Sequence, residues 1–268
     1  MAISGISNDV LQHIFGYVGD KQYIFVAGTS SSFRQVYLDT FRNEMLTTIK
    51  CAVASVSRAA MYLRSEEPGC EFRARLLFKR AAIEGKLEIL KWGKDSGYEL
   101  NTMLLDCDIM AQAALHGHLE VMKYLRQLGI SWNKLTCSNA AKNGHFELLK
   151  WARANQCPWD ARTCALGAMS GHLELLKWAR VNQCPWDAWT CTYAAENNHL
   201  ELLKWARANQ CPWNEWTCAH LAANGHLELL KWARSNGCPW NKQTYKYGRS
   251  NGDPTLMRYL EDEGCPMY

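Results

Sequence analysis

A 27-residue unit recurs along this chain in register, with glycine or its stand-in at Gly117, Gly144, Gly171, Asn198, Gly225 and Gly252. A fixed period of that length marks stacked units of secondary structure, so the repeat decides the architecture before any single residue is read. One such unit is too small to bury an apolar face against itself, and the entropy of ordering it must be offset by its neighbours. Stacking is therefore compulsory. The expected fold is an all-α solenoid of helix-turn-helix units.

The two cleanest copies run from Trp159 to Pro185 and from Trp186 to Pro212. Each opens on Trp followed by Asp or Asn, whose side-chain oxygen can accept a hydrogen bond from the free N–H groups of a helix's first turn. Asp160, Asp187, Asn214 and Asn241 are therefore read as helix starts. Cys191 and Ala195, four residues apart, give the first helix a small face for its neighbour. A Gly-His step of the Gly171-His172 kind then turns the chain. The second helix, Leu173 to Asn182, carries an apolar stripe of Leu173, Leu176 and Ala179 or Trp178, with Glu174, Lys177 and Arg180 facing water. Pro158, Pro185, Pro212 and Pro239 are expected to end this helix in successive copies, because proline lacks a donor and restricts the residue before it. Trp151, Trp178, Trp205 and Trp232 on the second helices, with Trp159, Trp186, Trp213 and Trp240 in the loops, are expected to join repeat to repeat.

The run Ala140-Ala141-Lys142-Asn143-Gly144-His145-Phe146-Glu147-Leu148-Leu149-Lys150 resembles the second half of the ankyrin repeat, and it returns around Gly117, Gly171, Asn198 and Gly225. The resemblance covers Lys79 to the C-terminus. The unit is about six residues shorter than the usual period of about 33, with Cys-Pro-Trp where the β-turn finger would lie. Thr136-Cys137, Thr163-Cys164, Thr190-Cys191 and Thr217-Cys218 replace the family's Thr-Pro-Leu-His. The resemblance thus implies an ankyrin-like helical stack without β-hairpin fingers.

Composition sets the remaining bounds. The net charge of +4 is too small to demand a polyanionic partner. There is no run of ~20 apolar residues and no basic-then-apolar leader, so the expectation is a cytoplasmic or nuclear monomer with no membrane span. The 12 cysteines include Cys157/Cys164, Cys184/Cys191 and Cys211/Cys218, seven apart, but no Cys-x-x-Cys knuckle. Reduced thiols packed as small hydrophobes are expected, with no metal and no cofactor. His118, His145, His172, His199 and His226 hold one position in five units, which suits structural hydrogen bonding better than catalysis.

Residues 1–45 contain no copy of the unit and read as short amphipathic helices, Asn8 to Val18, Gln22 to Ala27 and Ser32 to Asp39. Their order of Ile6, Val10, Leu11, Ile14 and Phe15, then Ala27-Gly28-Thr29-Ser30 and Phe33, resembles the F-box. That resemblance implies docking of those five residues on a Skp-type adaptor of a ubiquitin ligase. The alternative is a helical cap that closes the first repeat. Residues 46–78 read as a degenerate repeat or linker, and residues 79–268 as the array. Between Gly85 and Gly117 lie five extra residues, expected to bulge near Asn101 to Leu105.

Binding specificity in a solenoid belongs where the copies disagree. The discordant positions lie on the first helices: Leu135, Asn139 and Lys142; Arg162, Leu166 and Met169; Trp189, Tyr193 and Glu196; Trp216, His220 and Ala223. Each set shares one helical face, and stacking should align the faces into a concave strip that captures a protein partner. Arg162, Leu166, Met169, Trp189, Tyr193, Glu196, Trp216 and His220 are the candidate contacts; the competing reading packs Trp189 and Trp216 onto the next repeat. A nucleic-acid alternative uses the basic row Lys150/Arg153, Lys177/Arg180, Lys204/Arg207 and Lys231/Arg234 on the second helices. No nucleophile with its base, phosphate loop or acid pair stands outside the repeat frame, so an enzyme is not expected.

Overall fold

The computed structural model describes residues 52–63, 70–105 and 108–267. Ile6, Val10, Leu11, Ile14 and Phe15 lie outside the described residues. The described chain divides into two compact parts, one reaching Ala81 and including Glu88–Tyr98, the other made of Ala82–Leu87 and Glu99 onward. Every regular element among the described residues is a helix.

In the first part lie α1 (Val56–Leu63), most of α2 (Cys70–Ile83) and most of α3 (Leu87–Asp95). Phe78, Trp92 and Tyr98 form a ring cluster there, with centroids 5.2 to 6.4 Å apart. Gly93 is needed beneath it, because a Cβ would lie 2.4 Å from the Phe78 ring.

The second part is the array. The five extra residues expected near Asn101 form a one-turn helix, α4 (Leu100–Met103), with Leu105 exposed after it. Inner and outer helices then alternate: α5 (Asp108–Leu115) with α6 (Leu119–Gln127), α7 (Lys134–Lys142) with α8 (Phe146–Ala154), and α9 (Ala161–Met169) with α10 (Leu173–Val181). They continue as α11 (Ala188–Glu196) with α12 (Leu200–Ala208), α13 (Glu215–Ala223) with α14 (Leu227–Ser235), and α15 (Lys242–Asn251) with α16 (Pro254–Asp262). Each inner helix packs chiefly on the inner helices before and after it.

The inner helices begin where the sequence places them. Asn133, Asp160, Asp187, Asn214 and Asn241 each accept the backbone N–H two residues on, at 2.9 to 3.1 Å. In α9 the packed face is made of Thr163, Cys164, Ala165, Gly167 and Ala168, all buried and small enough to let helices approach closely. The turn that follows is tight. The Gly171 N–H donates to Ala168 O (3.2 Å) and the His172 N–H to Gly167 O (3.0 Å), the paired bonds of a Schellman cap. Leu173 N–H then reaches back to Gly171 O (2.9 Å) with His172 at φ −78, ψ 69, an inverse γ-turn that starts α10 at once.

Two expectations for the outer helix are corrected. Its buried stripe is Leu175, Leu176 and Ala179, not Leu173, because the γ-turn rotates the first residue toward the edge. Proline is not what ends it. The helix stops at Val181 because Gln183 enters the left-handed region (φ 64), donating to Arg180 O at 3.0 Å while Cys184 N–H donates to Ala179 O at 2.9 Å. Pro185 follows a stop already made. Gly129, Gly237 and Gly264 hold that left-handed position in other repeats, whereas Gln156, Gln183 and Gln210 hold it with a Cβ penalty. Gln183→Gly should therefore stabilise the chain by up to about 1 kcal/mol in urea unfolding; a loss of stability would show that the glutamine side chain contributes more than its backbone costs.

Candidate partner-binding face

The inner helices carry an aromatic row on their open side. Trp189 on α11 is 45% exposed, and its ring leans on Tyr193 one turn later, centroids 5.4 Å apart. On α13, Trp216 lies half-buried against His220 (6.3 Å) and against Tyr247 of α15 (6.4 Å). Glu196 Oε2 faces His220 Nδ1 at 3.7 Å and so bridges the two repeats. Arg162 and Lys142 are exposed, and Met169 is half-buried.

Not every discordant residue is available. Leu166 is closed over at 9% exposure. The Asn139 amide donates to Ala111 O at 2.9 Å and so ties α7 to the preceding inner helix. Leu135 and Ala223 are half-buried. Trp216 does touch the next repeat, whereas the ring of Trp189 meets Tyr193 of its own helix. Tyr247 joins this row although it was not among the sequence candidates. The signal existed, since Tyr247 stands one period beyond His220.

Behind this face a second set of side chains fastens the repeats. Arg126, Arg153, Arg180, Arg207 and Arg234 lie over Trp132, Trp159, Trp186, Trp213 and Trp240 of the following repeat, 4.0 to 4.3 Å from the ring centroids. The same guanidinium groups donate to the carbonyls of Ile130, Cys157, Cys184, Cys211 and Cys238. Each loop Trp meets the outer-helix Trp of its own repeat edge to face, Trp132 with Trp151, Trp159 with Trp178, Trp186 with Trp205 and Trp213 with Trp232, at 5.5 to 6.0 Å. Trp186 also covers the buried cluster of Cys164, Ala179 and Cys184 in the preceding repeat. The tryptophans do join the stack, with arginine as the link. The arginines expected to face water are thus structural, and Lys150, Lys177, Lys204 and Lys231 each stand beside a glutamate three residues earlier, at 2.6 to 3.7 Å.

The histidines form a third link. Ring nitrogens of His145, His199 and His226 bond the carbonyls of Leu115, Met169 and Glu196, each 30 residues earlier, at 3.1 to 3.3 Å. His118 reaches Ile83 instead, in keeping with the five-residue insertion before it. Burial, with the neighbouring His116 ring second, holds the His118 ring below the ordinary histidine range. The unfolded chain then binds the proton more readily, so stability should fall as pH drops through about 6.5. The loss should be shallow in thermal scans from pH 7 to pH 5, and His118→Gln should flatten it; an unchanged slope would remove His118 as its source.

Among the described residues, nine cysteines are free and buried, and no group of three His, Cys, Asp or Glu side chains could hold a metal ion. The thiols that meet are not seven apart. Cys137 pairs with Cys157 of the same repeat, Cys164 with Cys184, Cys191 with Cys211 and Cys218 with Cys238. The partner thiol within each pair, then burial, holds Cys137, Cys184, Cys211 and Cys238 far above the usual thiol range. No described helix is long and apolar enough to cross a membrane.

Comparison with known proteins agrees with this geometry. The family model for ankyrin repeats in many copies matches residues 109–153. The human ASB11 ankyrin repeat domain superposes with a TM-score of 0.53 at 15% identity, covering 70% of this chain and 97% of that one. The fold is an ankyrin-like helical solenoid. A pentatricopeptide repeat protein, PPR10, solved in complex with an 18-nt psaJ RNA element, matches with a TM-score of 0.35 at 15% identity, over 91% of this chain and 48% of its own. That score is too low to carry an argument. A search of curated proteins found no match to the chain. Within the ankyrin-like frame, the loop that usually holds a β-turn finger is reduced to the Cys-Pro-Trp connection, and the arginine–tryptophan contact closes it.

Proposed function

We propose that this ankyrin-like array is a non-enzymatic scaffold that captures another protein on its inner-helix face. The observation that carries the reading is the half-open Trp189, tilted against Tyr193 and followed one repeat later by Trp216 and His220. Tryptophan, tyrosine and arginine are the residues on which binding energy concentrates at protein interfaces, and Arg162 precedes this row by one repeat. Leaving an indole 45% in water has no evident benefit to the stack itself, whose inner-helix packing is made by buried alanine, threonine and cysteine. Glu196 and His220 supply polar contacts at the edge, while Leu166 acts as floor.

The second element of the reading is delivery. The F-box-like pattern Ile6, Val10, Leu11, Ile14 and Phe15 would dock a Skp-type adaptor, so that the captured protein is presented to a ubiquitin ligase. The basic row on the outer helices gives little support to nucleic-acid capture, since its arginines are engaged with tryptophans and carbonyls.

Two comparisons test the two elements separately. Trp189→Ala, Tyr193→Ala and Trp216→Ala together should weaken partner capture at least about tenfold while far-UV circular dichroism stays unchanged. Equal capture by the triple variant and the parent would end the inner-face reading. Purified Skp-type adaptor should bind the full chain and not a chain lacking Met1–Thr40. Adaptor bound by neither leaves the N-terminal residues as a cap.

A further inference from the structure

The thiols of this stack come in matched pairs at a structural position that repeats four times. One member sits in the inner helix, five residues after the loop tryptophan; the other sits in the loop that closes the same repeat, 20 residues further on. Cys137 Sγ lies 3.9 Å from the Cys157 carbonyl, Cys191 from that of Cys211, and Cys218 from that of Cys238, all at the same distance. Cys164 and Cys184 share one buried cluster with Ala179. Within each pair the partner thiol is the strongest influence on the acidity of Cys137, Cys184, Cys211 and Cys238. The loop thiol is held further by the carbonyl of its own repeat's N-cap residue, Asn133, Asp160, Asp187 or Asn214, at 3.5 to 3.7 Å.

We infer that Cys137–Cys157, Cys164–Cys184, Cys191–Cys211 and Cys218–Cys238 are dithiol modification sites, each converted by hydrogen peroxide into a disulfide that ties an inner helix to the loop closing the same repeat. Peroxide is small enough to enter during brief opening of the Cys-Pro-Trp loop, which larger oxidants are not. One sulfur attacks the peroxide O–O bond, forming S–O and releasing hydroxide, which takes the displaced proton as water. The second sulfur then attacks this sulfenic acid; S–S forms, S–O breaks, and a second water leaves with the remaining proton. Two S–H bonds are lost and peroxide accepts the two electrons.

The stack contains its own control. Cys265 occupies the loop position and touches the Asn241 carbonyl at 3.8 Å, but Tyr245 stands where the inner-helix cysteine would be. Burial raises the Cys265 thiol to about 11, and its own repeat offers no inner-helix cysteine to condense with. This inference stands apart from the partner-capture reading.

The experiment uses the full chain, treated with graded hydrogen peroxide, alkylated, and read by intact mass and by peptide mapping without reductant. The expected result is a loss of about 2 Da per bridge, with crosslinks joining those four pairs, Cys265 alkylated or singly oxidised, helicity retained and the thermal midpoint raised until reductant restores it. Cys164→Ala should form the other three bridges and leave Cys184 unbridged. Bridges between other cysteines, such as Cys157 with Cys164, would overturn the inference. So would sulfinic or sulfonic acids at these positions without any bridge, or thiols still fully alkylatable after exposed methionines have oxidised.

Discussion

Gly171→Val is expected to destabilise the chain by about 3–4 kcal/mol, lowering the thermal midpoint by roughly 10 °C. Two costs combine. Gly171 sits at φ 76, where a β-branched side chain is strongly disfavoured. A Cβ there would also lie 2.7 Å from the His199 ring, which belongs to the next repeat. Moving that ring forfeits its 3.1 Å bond to Met169 O and loosens the joint between repeats. The chain supplies the comparison, because Asn198 occupies the equivalent position at φ 58, and His226 still reaches Glu196 O at 3.3 Å. Gly171→Asn should accordingly cost about 1 kcal/mol or less. Equal losses for valine and asparagine would show that the His199 socket contributes nothing beyond backbone strain.

Arg180→Ala is expected to cost about 2–3 kcal/mol, more than an ordinary surface arginine could. The guanidinium covers Trp186 at 4.2 Å and donates to the Cys184 carbonyl just past the end of α10, so one side chain both closes its own helix and holds the next repeat. Its aliphatic stem also packs, so truncation loses apolar area as well as charge. Arg180→Lys keeps the charge but lacks the planar fork that serves ring and carbonyl together, and should recover less than half of the loss. The measurement is urea unfolding of both variants and of Trp186→Leu alone and with Arg180→Ala. A double-mutant cycle with no coupling between Arg180 and Trp186 would refute the shared role.

Much of one repeat was legible in the chain because its signals are local. Asp160, Asp187, Asn214 and Asn241 start helices through bonds that span two residues, and a short-range bond leaves a short-range signature. The small faces of the inner helices follow likewise from Cys191 and Ala195, both buried. The helix stop was misread because Pro185 is a conspicuous breaker, while the left-handed Gln183 that acts first looks like any polar residue. Leu175 was passed over for Leu173 because the periodic stripe carries no phase until the γ-turn fixes it.

The candidate face was legible in part. Comparing copies found Trp189, Tyr193, Glu196, Trp216 and His220, which the structure gathers in neighbouring repeats. The same comparison could not separate Leu166, folded inward, from Arg162, which faces water.

The sequence by itself determined the period, the helix pairs and the need to stack, since each follows from residues within one 27-residue window. Tertiary structure alone decided what the periodic polar side chains do. Arg180 is fastened in place because Trp186 of the next repeat lies beneath it; His199 is a strut because the preceding repeat presents Met169 O. The cysteines pair across 20 residues rather than seven for the same reason. A bond between repeats, or across one, depends on how far each helix is rotated against its neighbour, and that rotation is written in no single window of the chain.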